Sequence, residues 1–232
     1  MVGQLVCVRE KGRSRGEPVE LGPLTALRWT VYAPEGLAPW RLAWRLRKAE
    51  YALVRAGAGR VILGPDFPWA DRLTLLRPVD PLPMLRACAD VLSLGALAVE
   101  GIDARRGRVA LSAPRLCRSL EGAAERLCPL VRGLVIDAPG GEDYARYLQA
   151  RFGLPVTPPA AGADVTAAFG PGGGRWGRTV ELYEGGSLGG LELRAEGVDL
   201  PADCAGQVLA LLWERGEVKR DALRCRLADN AP

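Results

Sequence analysis

From residue 108 to residue 169 the chain repeats one arrangement: a short apolar run, then an amphipathic stretch. Arg108-Val109-Ala110-Leu111-Ser112 precedes a helical pattern over 115–131, with Leu116, Leu120, Ala123, Ala124, Leu127 and Leu130 on one face. Gly133-Leu134-Val135-Ile136-Asp137 precedes a second helical pattern over 142–152, which Gly153 stops. Further strands are predicted at 154–157 and 164–169. Strands alternating with helices of this length indicate βαβ units and a parallel sheet. The feature excludes all-helical and all-β architectures for this stretch.

The flanking sequence is less regular. Strands are predicted at 5–8 and 26–32, with a polar, hairpin-like stretch over 9–17 between them. Apolar residues Leu42, Ala43, Leu46, Ala49, Ala52 and Leu53 make 40–55 a helix, and 60–64 reads as a short buried strand. Asp80 is placed to cap a helix that starts at Pro81 and runs to about residue 99. After the glycine-rich stretch 169–177, segments 178–183 and 191–194 read as a hairpin with a long loop. A helix follows over 203–215, and 220–226 adds a strand or a last helix turn. Gly101 to Gly107 is the expected boundary between a portion 1–103 and a portion 104–232.

Four predicted strands stop at a small residue plus proline: Gly64-Pro65, Ala113-Pro114, Ala138-Pro139 and Gly170-Pro171. Proline cannot continue a hydrogen-bonded ladder, so each strand ends sharply at its carboxyl side. In an open parallel sheet that edge is where ligands bind. The alternative is that these prolines are only strand terminators in a proline-rich chain.

Residues 107–170 resemble an NAD(P)-binding Rossmann domain of the kind found in shikimate-dehydrogenase-like and glutamyl-tRNA-reductase-like proteins. The first strand and helix onset, Arg108 to Leu120, carry the resemblance, with the acid-terminated strand Leu134-Val135-Ile136-Asp137 and the segment Gly162-Ala163-Asp164-Val165-Thr166-Ala167-Ala168. The resemblance implies an α/β, Rossmann-like, doubly wound and mostly parallel sheet. An N-terminal α/β portion would precede it, and a C-terminal β-hairpin plus helix would complete it. It also implies a dinucleotide, with Asp137 about where a ribose-binding acid would stand. The glycine fingerprint, however, falls on Ser112, Pro114 and Cys117. The fingerprint glycines provide a tight turn, close approach to the pyrophosphate and close helix–strand packing, and Pro114 lacks an N–H. NAD(P) is therefore disfavoured as a cofactor.

Composition narrows the chemistry further. The 232 residues contain no histidine, which excludes Ser-His-Asp and Cys-His catalysis and histidine zinc sites. Of 31 basic residues, only Lys11, Lys48 and Lys219 are lysines. That bias suits carboxylate or phosphate recognition, but it equally reads as the coding bias of a GC-rich, bacterial-like genome. With lysine absent from the strand ends, a Schiff-base mechanism is disfavoured. The six cysteines form no CxxC pair; their even count permits disulfides, but Cys88, Cys117 and Cys128 lie in helical patterns and read as small buried hydrophobes in a reducing compartment. The first residues do not read as a secretory signal, and no apolar run reaches membrane-spanning length, so a cytoplasmic protein without a membrane partner is expected.

Candidate ligand-binding residues are Ser112, Arg115, Arg118, Asp137 and Asp66. Arg115 and Arg118 would add charge to a helix N-terminus, which attracts anions. Asp66 follows the 60–64 strand beside Phe67-Pro68-Trp69. The stretch 169–177 reads as a lid carrying Arg175 and Trp176 or as a linker. Trp40, Trp44 and Tyr51 interleave with Arg41, Arg45, Arg47 and Lys48 as a base-stacking face or, more simply, as an amphipathic core or homodimer helix. A net charge of +4 is modest for a nucleic-acid binder, which disfavours that partner. Two functional expectations follow. One is a Rossmann-like protein that binds a small anionic ligand or nucleotide at the strand carboxyl ends. The other is a non-enzymatic structural or interaction module that keeps the fold without the site. An NAD(P)-dependent oxidoreductase and an RNA-binding protein are weaker alternatives.

Overall fold

The computed structural model describes residues 1–65, 67–153 and 156–228. The chain forms two compact units of mixed α/β structure: Met1–Pro81 with Gly197–Glu217, and Leu82–Glu196 with Val218–Pro232. The expected boundary at 103/104 lies inside the second unit. The reason is that the helical segment before it contacts the strands that follow it.

In the first unit, β1 (Val2–Val8) is central. It pairs in parallel with β3 (Leu24–Tyr32) on one side and with β4 (Arg60–Leu63) on the other. β2 (Arg15–Leu21) lies antiparallel to β3 at one edge, and the two-residue β5 (Arg77–Pro78) extends β4 at the other. The stretch 9–17 thus leads into a full strand that the sequence pattern did not reveal. Pro18 opposes Leu27 there, and an edge strand tolerates a residue with no N–H to donate.

α1 (Pro39–Arg55) starts with a proline in its first turn, where the missing N–H costs nothing. Leu42, Leu46, Ala49 and Leu53 recur at helical spacing and pack with Leu5, Val31 and Val61 of the sheet. Side chains alternate along β1, so Gln4 points to the opposite face, where it meets Cys204. α6 (Ala205–Glu214) is fixed to the same sheet by the Gln207 amide. Its oxygen accepts from the Leu63 N–H at 2.9 Å, and its nitrogen donates to the Leu63 carbonyl at 2.8 Å.

In the second unit, β6 (Arg108–Ser112) is central to a five-stranded sheet. β7 (Gly133–Asp137) and β8 (Val156–Thr157) lie on one side, β9 (Val165–Ala168) and β10 (Arg178–Glu181) on the other, and every recorded pairing is parallel. The spatial order in chain terms is third, second, first, fourth, fifth. α4 (Arg118–Leu127) and α5 (Gly141–Phe152) are the crossovers from β6 to β7 and from β7 to β8. Between β8 and β9 there is only a short 3₁₀ turn, Pro159–Ala161. The expected helix over 81–99 is two helices, α2 (Leu82–Ala87) and α3 (Ala89–Val99), separated at the fully buried Cys88. α3 contacts β9, β10 and α4.

The expected hairpin between 178–183 and 191–194 does not form. β10 extends the parallel sheet, while β11 (Leu191–Ala195) pairs antiparallel with β12 (Leu223–Leu227). Val180 and Leu182 are buried beside β9, and Leu191, Leu193 and Ala195 are buried in the other pair. Each strand therefore finds its apolar cover elsewhere. Among the described residues, no helix is long and apolar enough to cross a membrane.

Candidate functional site

The carboxyl ends of β6, β7 and β9 converge in the second unit. Ser112 closes β6, in register with Asp137 on β7 and Ala168 on β9. It is fully buried, and its Oγ donates to Asp137 Oδ2 at 3.2 Å. The strand ends continue as a ladder: the Ala113 N–H donates to the Asp137 carbonyl and the Phe169 N–H to the Ser112 carbonyl. Two of the candidate residues, Ser112 and Asp137, are thus brought together.

The space above them is occupied by the glycine-rich loop. The Gly174 N–H donates to Asp137 Oδ2 at 2.6 Å, so one carboxylate oxygen holds both the serine and the loop. Gly173 has φ +76°, and a β-carbon there would collide with Ser112 Oγ and lie 2.9 Å from Asp137 Oδ2. Gly177 has φ +56°, and a β-carbon there would strike the Asp164 carbonyl oxygen. Both positions need a residue without a side chain, for conformation and for space. Thr166, almost fully buried on β9, locks the far end of the loop. Its Oγ1 accepts from the Trp176 N–H and donates to the Trp176 carbonyl, both at 2.8 Å.

Two arginines at this edge, Arg175 and Arg86, bond to the chain itself. Arg175 donates to the carbonyls of Gly172 and Gly170 at 2.6 and 3.2 Å. Arg86 of α2 donates from Nε to the Leu182 carbonyl at 2.7 Å and from Nη2 to the Phe169 carbonyl at 3.4 Å. A guanidinium carries enough donors to satisfy several strand-end carbonyls, which partly accounts for the arginines of this chain. Arg175 therefore braces the loop.

Arg115 and Arg118 are exposed, and among the described residues neither is bonded to Ser112 or Asp137. The helical segment begins at Arg118 rather than Arg115, because Cys117 is extended and acts as its N-cap without a side-chain hydrogen bond. Pro114, at the middle fingerprint position, packs its ring against Gly170. A β-carbon at Gly170 would come within 2.5 Å of Pro114 Cδ. Pro114 thus packs into this closure, together with Gly170, Gly173 and Gly174. Asp66 lies outside the described residues.

Other ionisable groups of this unit also point to structure. Asp90 is buried on α3 and held by Arg126 at 3.1 Å and by Arg220. Burial pushes the thiols of Cys88, Cys128 and Cys225 up to about 11. A nucleophilic cysteine needs the opposite shift. Glu181 is held below the usual carboxylate range by the Tyr183 hydroxyl and the Ser187 N–H. No group of three or more metal-ligating side chains occurs among the described residues. The glycine density at 170–177 was the sequence signal for the loop; its anchor Thr166 gave none, and Asp137 stood out as a strand-end acid for a ligand rather than as the loop's anchor. Compared with known proteins, the sequence matches no protein-family model and no curated protein.

Proposed function

We propose that this chain is a non-catalytic binding or interaction module whose second unit keeps a Rossmann-like, doubly wound sheet as a scaffold. The strand order third-second-first-fourth-fifth supports that reading, since it is the order of the dinucleotide-binding folds. In such sheets the ligand enters where the order reverses, here between β6 and β9. The observation that carries the proposal is Gly173-Gly174 seated on Ser112 and Asp137 in that crevice. The Asp137 oxygen that would take a ribose hydroxyl holds the loop instead, and the Pro114 ring stands where a pyrophosphate would need a glycine.

A second reading keeps the crevice as a site for a small anionic ligand, with the glycine-rich loop as a lid. The open N-terminus of α4 favours it: Cys117 provides no cap, and Arg115 and Arg118 are exposed beside it. Thermal unfolding with millimolar NAD(H), NADP(H), ADP and inorganic phosphate separates the two. The scaffold reading expects no upward shift. A ligand at 100 times its Kd would add about 2.7 kcal/mol. A shift of several degrees that Asp137→Asn abolishes would overturn the scaffold reading in favour of the lid.

A further inference from the structure

A second concave site lies wholly in the first unit. A cavity of about 480 Å³ opens between α1 and the segment 72–74, lined among others by Trp40, Trp44, Arg47, Glu50, Arg72 and Thr74. Residues 40, 43, 44 and 47 share one helical face, next to the buried stripe of Leu42, Leu46, Ala49 and Leu53. Trp40 and Trp44 are 67% and 62% exposed, unusual for indoles in water.

The opposite wall is built rather than loose. Glu50 is 2% exposed, and its Oε1 accepts from the N–H groups of Thr74, Leu75 and Leu76 at 2.8, 2.7 and 3.2 Å. Its Oε2 faces the Thr74 hydroxyl at 3.4 Å. The lone pairs of Oε1 are aimed at these backbone donors, and the two arginines that line the cavity outnumber the single negative charge of Glu50. Arg47 and Arg72 are exposed cations on the two sides, and no ion pair to either is recorded among the described residues. Arg41 and Lys48 stack near the Trp40 and Trp44 rings, at 5.1 and 5.4 Å.

We infer that this cavity binds a planar aromatic ring carrying one carboxylate or phosphate group. The indoles supply stacking surface, and the two guanidiniums supply planar forks for the anion. The volume is within the range of small-molecule pockets, roughly 300–1,000 Å³. A second copy of this chain is disfavoured, because a two-fold contact would face Arg41, Arg45, Arg47 and Lys48 with themselves. A nucleic-acid track is disfavoured by one walled cavity and a net charge of only +4. The inference is independent of the strand-end reading, since all lining residues lie in the first unit.

Calorimetric titration of the full chain tests it with 4-hydroxybenzoate and adenosine 5′-monophosphate as the two anion sources. Benzyl alcohol and inorganic phosphate supply the ring and the charge separately. The expected result is saturable binding of at least one aromatic anion below about 1 mM, with each separate half at least about tenfold weaker. Trp44→Ala and Arg72→Gln each weaken binding at least about tenfold, while far-ultraviolet circular dichroism stays unchanged. Which anion binds identifies the source. Three results overturn the inference: no binding of either anion at millimolar concentration, binding that both variants leave intact, or tighter binding of a thymidylate oligomer than of either anion.

Discussion

At the strand ends of the second unit, polar groups consume one another. Ser112 and Gly174 share Asp137, Thr166 holds Trp176, and Arg86 and Arg175 cover carbonyls. At the groove of the first unit, one buried carboxylate consumes the backbone donors and leaves the surface groups open. Glu50 fixes the wall while Trp40, Trp44, Arg47 and Arg72 face solvent. Both regions use a single acid as a clamp. One clamp closes a crevice on the chain's own loop; the other props a crevice open. Topology alone directs attention to the first of the two, because a sheet's strand order says where a crevice arises and not what fills it.

The contrast can be broken first by alkali, where the largest effect is expected. Thiol pKa values in the second unit rise from 9.0 to about 11 for Cys88, Cys128 and Cys225, and in the first unit Cys204 rises to about 12, in each case chiefly through burial. Groups raised in the folded state contribute stability that is complete below pH 9 and lost as pH climbs through about 11. The loss should be on the order of a few kcal/mol, and greater in the second unit, which holds three of the four. Hydrogen exchange of the reduced protein at pH 7, corrected for intrinsic rates and compared with pH 10, would locate it. Equal protection in both units at both pH values would defeat this expectation.

Next in size is Gly173→Ala. It combines a left-handed backbone with a collision at Ser112 Oγ, and it should cost about 3 kcal/mol in urea unfolding. A cost under about 0.5 kcal/mol would mean the loop is not seated in solution, and the sealed crevice would lose its support. Glu50→Ala should cost about 2 kcal/mol, because it strands donors that a charged acceptor now satisfies. It should also release amide protection at Thr74, Leu75 and Leu76. Unchanged protection there would show that the groove wall stands without its clamp.

Much of the second unit was legible because its strands and crossovers are local patterns. β6, β7 and β9 fall where their apolar runs lie, and α5 ends at Gly153. What failed was partner choice. β10 and β11 both show buried alternate residues, and nothing local says that Val180 belongs beside Ala167 while Leu193 belongs beside Cys225. β2 escaped because Gly16 and Pro18 are poor strand residues that only an edge accepts. Ser112 and Asp137 could be placed at neighbouring strand ends, yet the loop that seals them is fixed by hydrogen bonds to side chains outside its own segment. Asp137 meets Gly174, and Thr166 meets Trp176. The Trp40–Arg47 face was visible, but without Arg72 and the Glu50 clamp it read as core or dimer surface.

The smallest effect is the most informative for the groove. Arg47→Gln and Arg72→Gln remove exposed charges for which no ion pair is recorded among the described residues. Surface changes of this kind shift stability by less than about 0.5 kcal/mol. Here the sign should be slightly favourable on α1, where Arg41, Arg45, Arg47, Lys48 and Arg55 crowd positive charge and Glu50 is the helix's one acid. The gain should fade with added salt, since screening weakens repulsion between exposed charges. Urea unfolding of both variants at low and high ionic strength checks this. A loss of 1 kcal/mol or more would mean that the arginines hold the fold rather than wait for an anion, and the groove would then resemble the sealed crevice instead of opposing it.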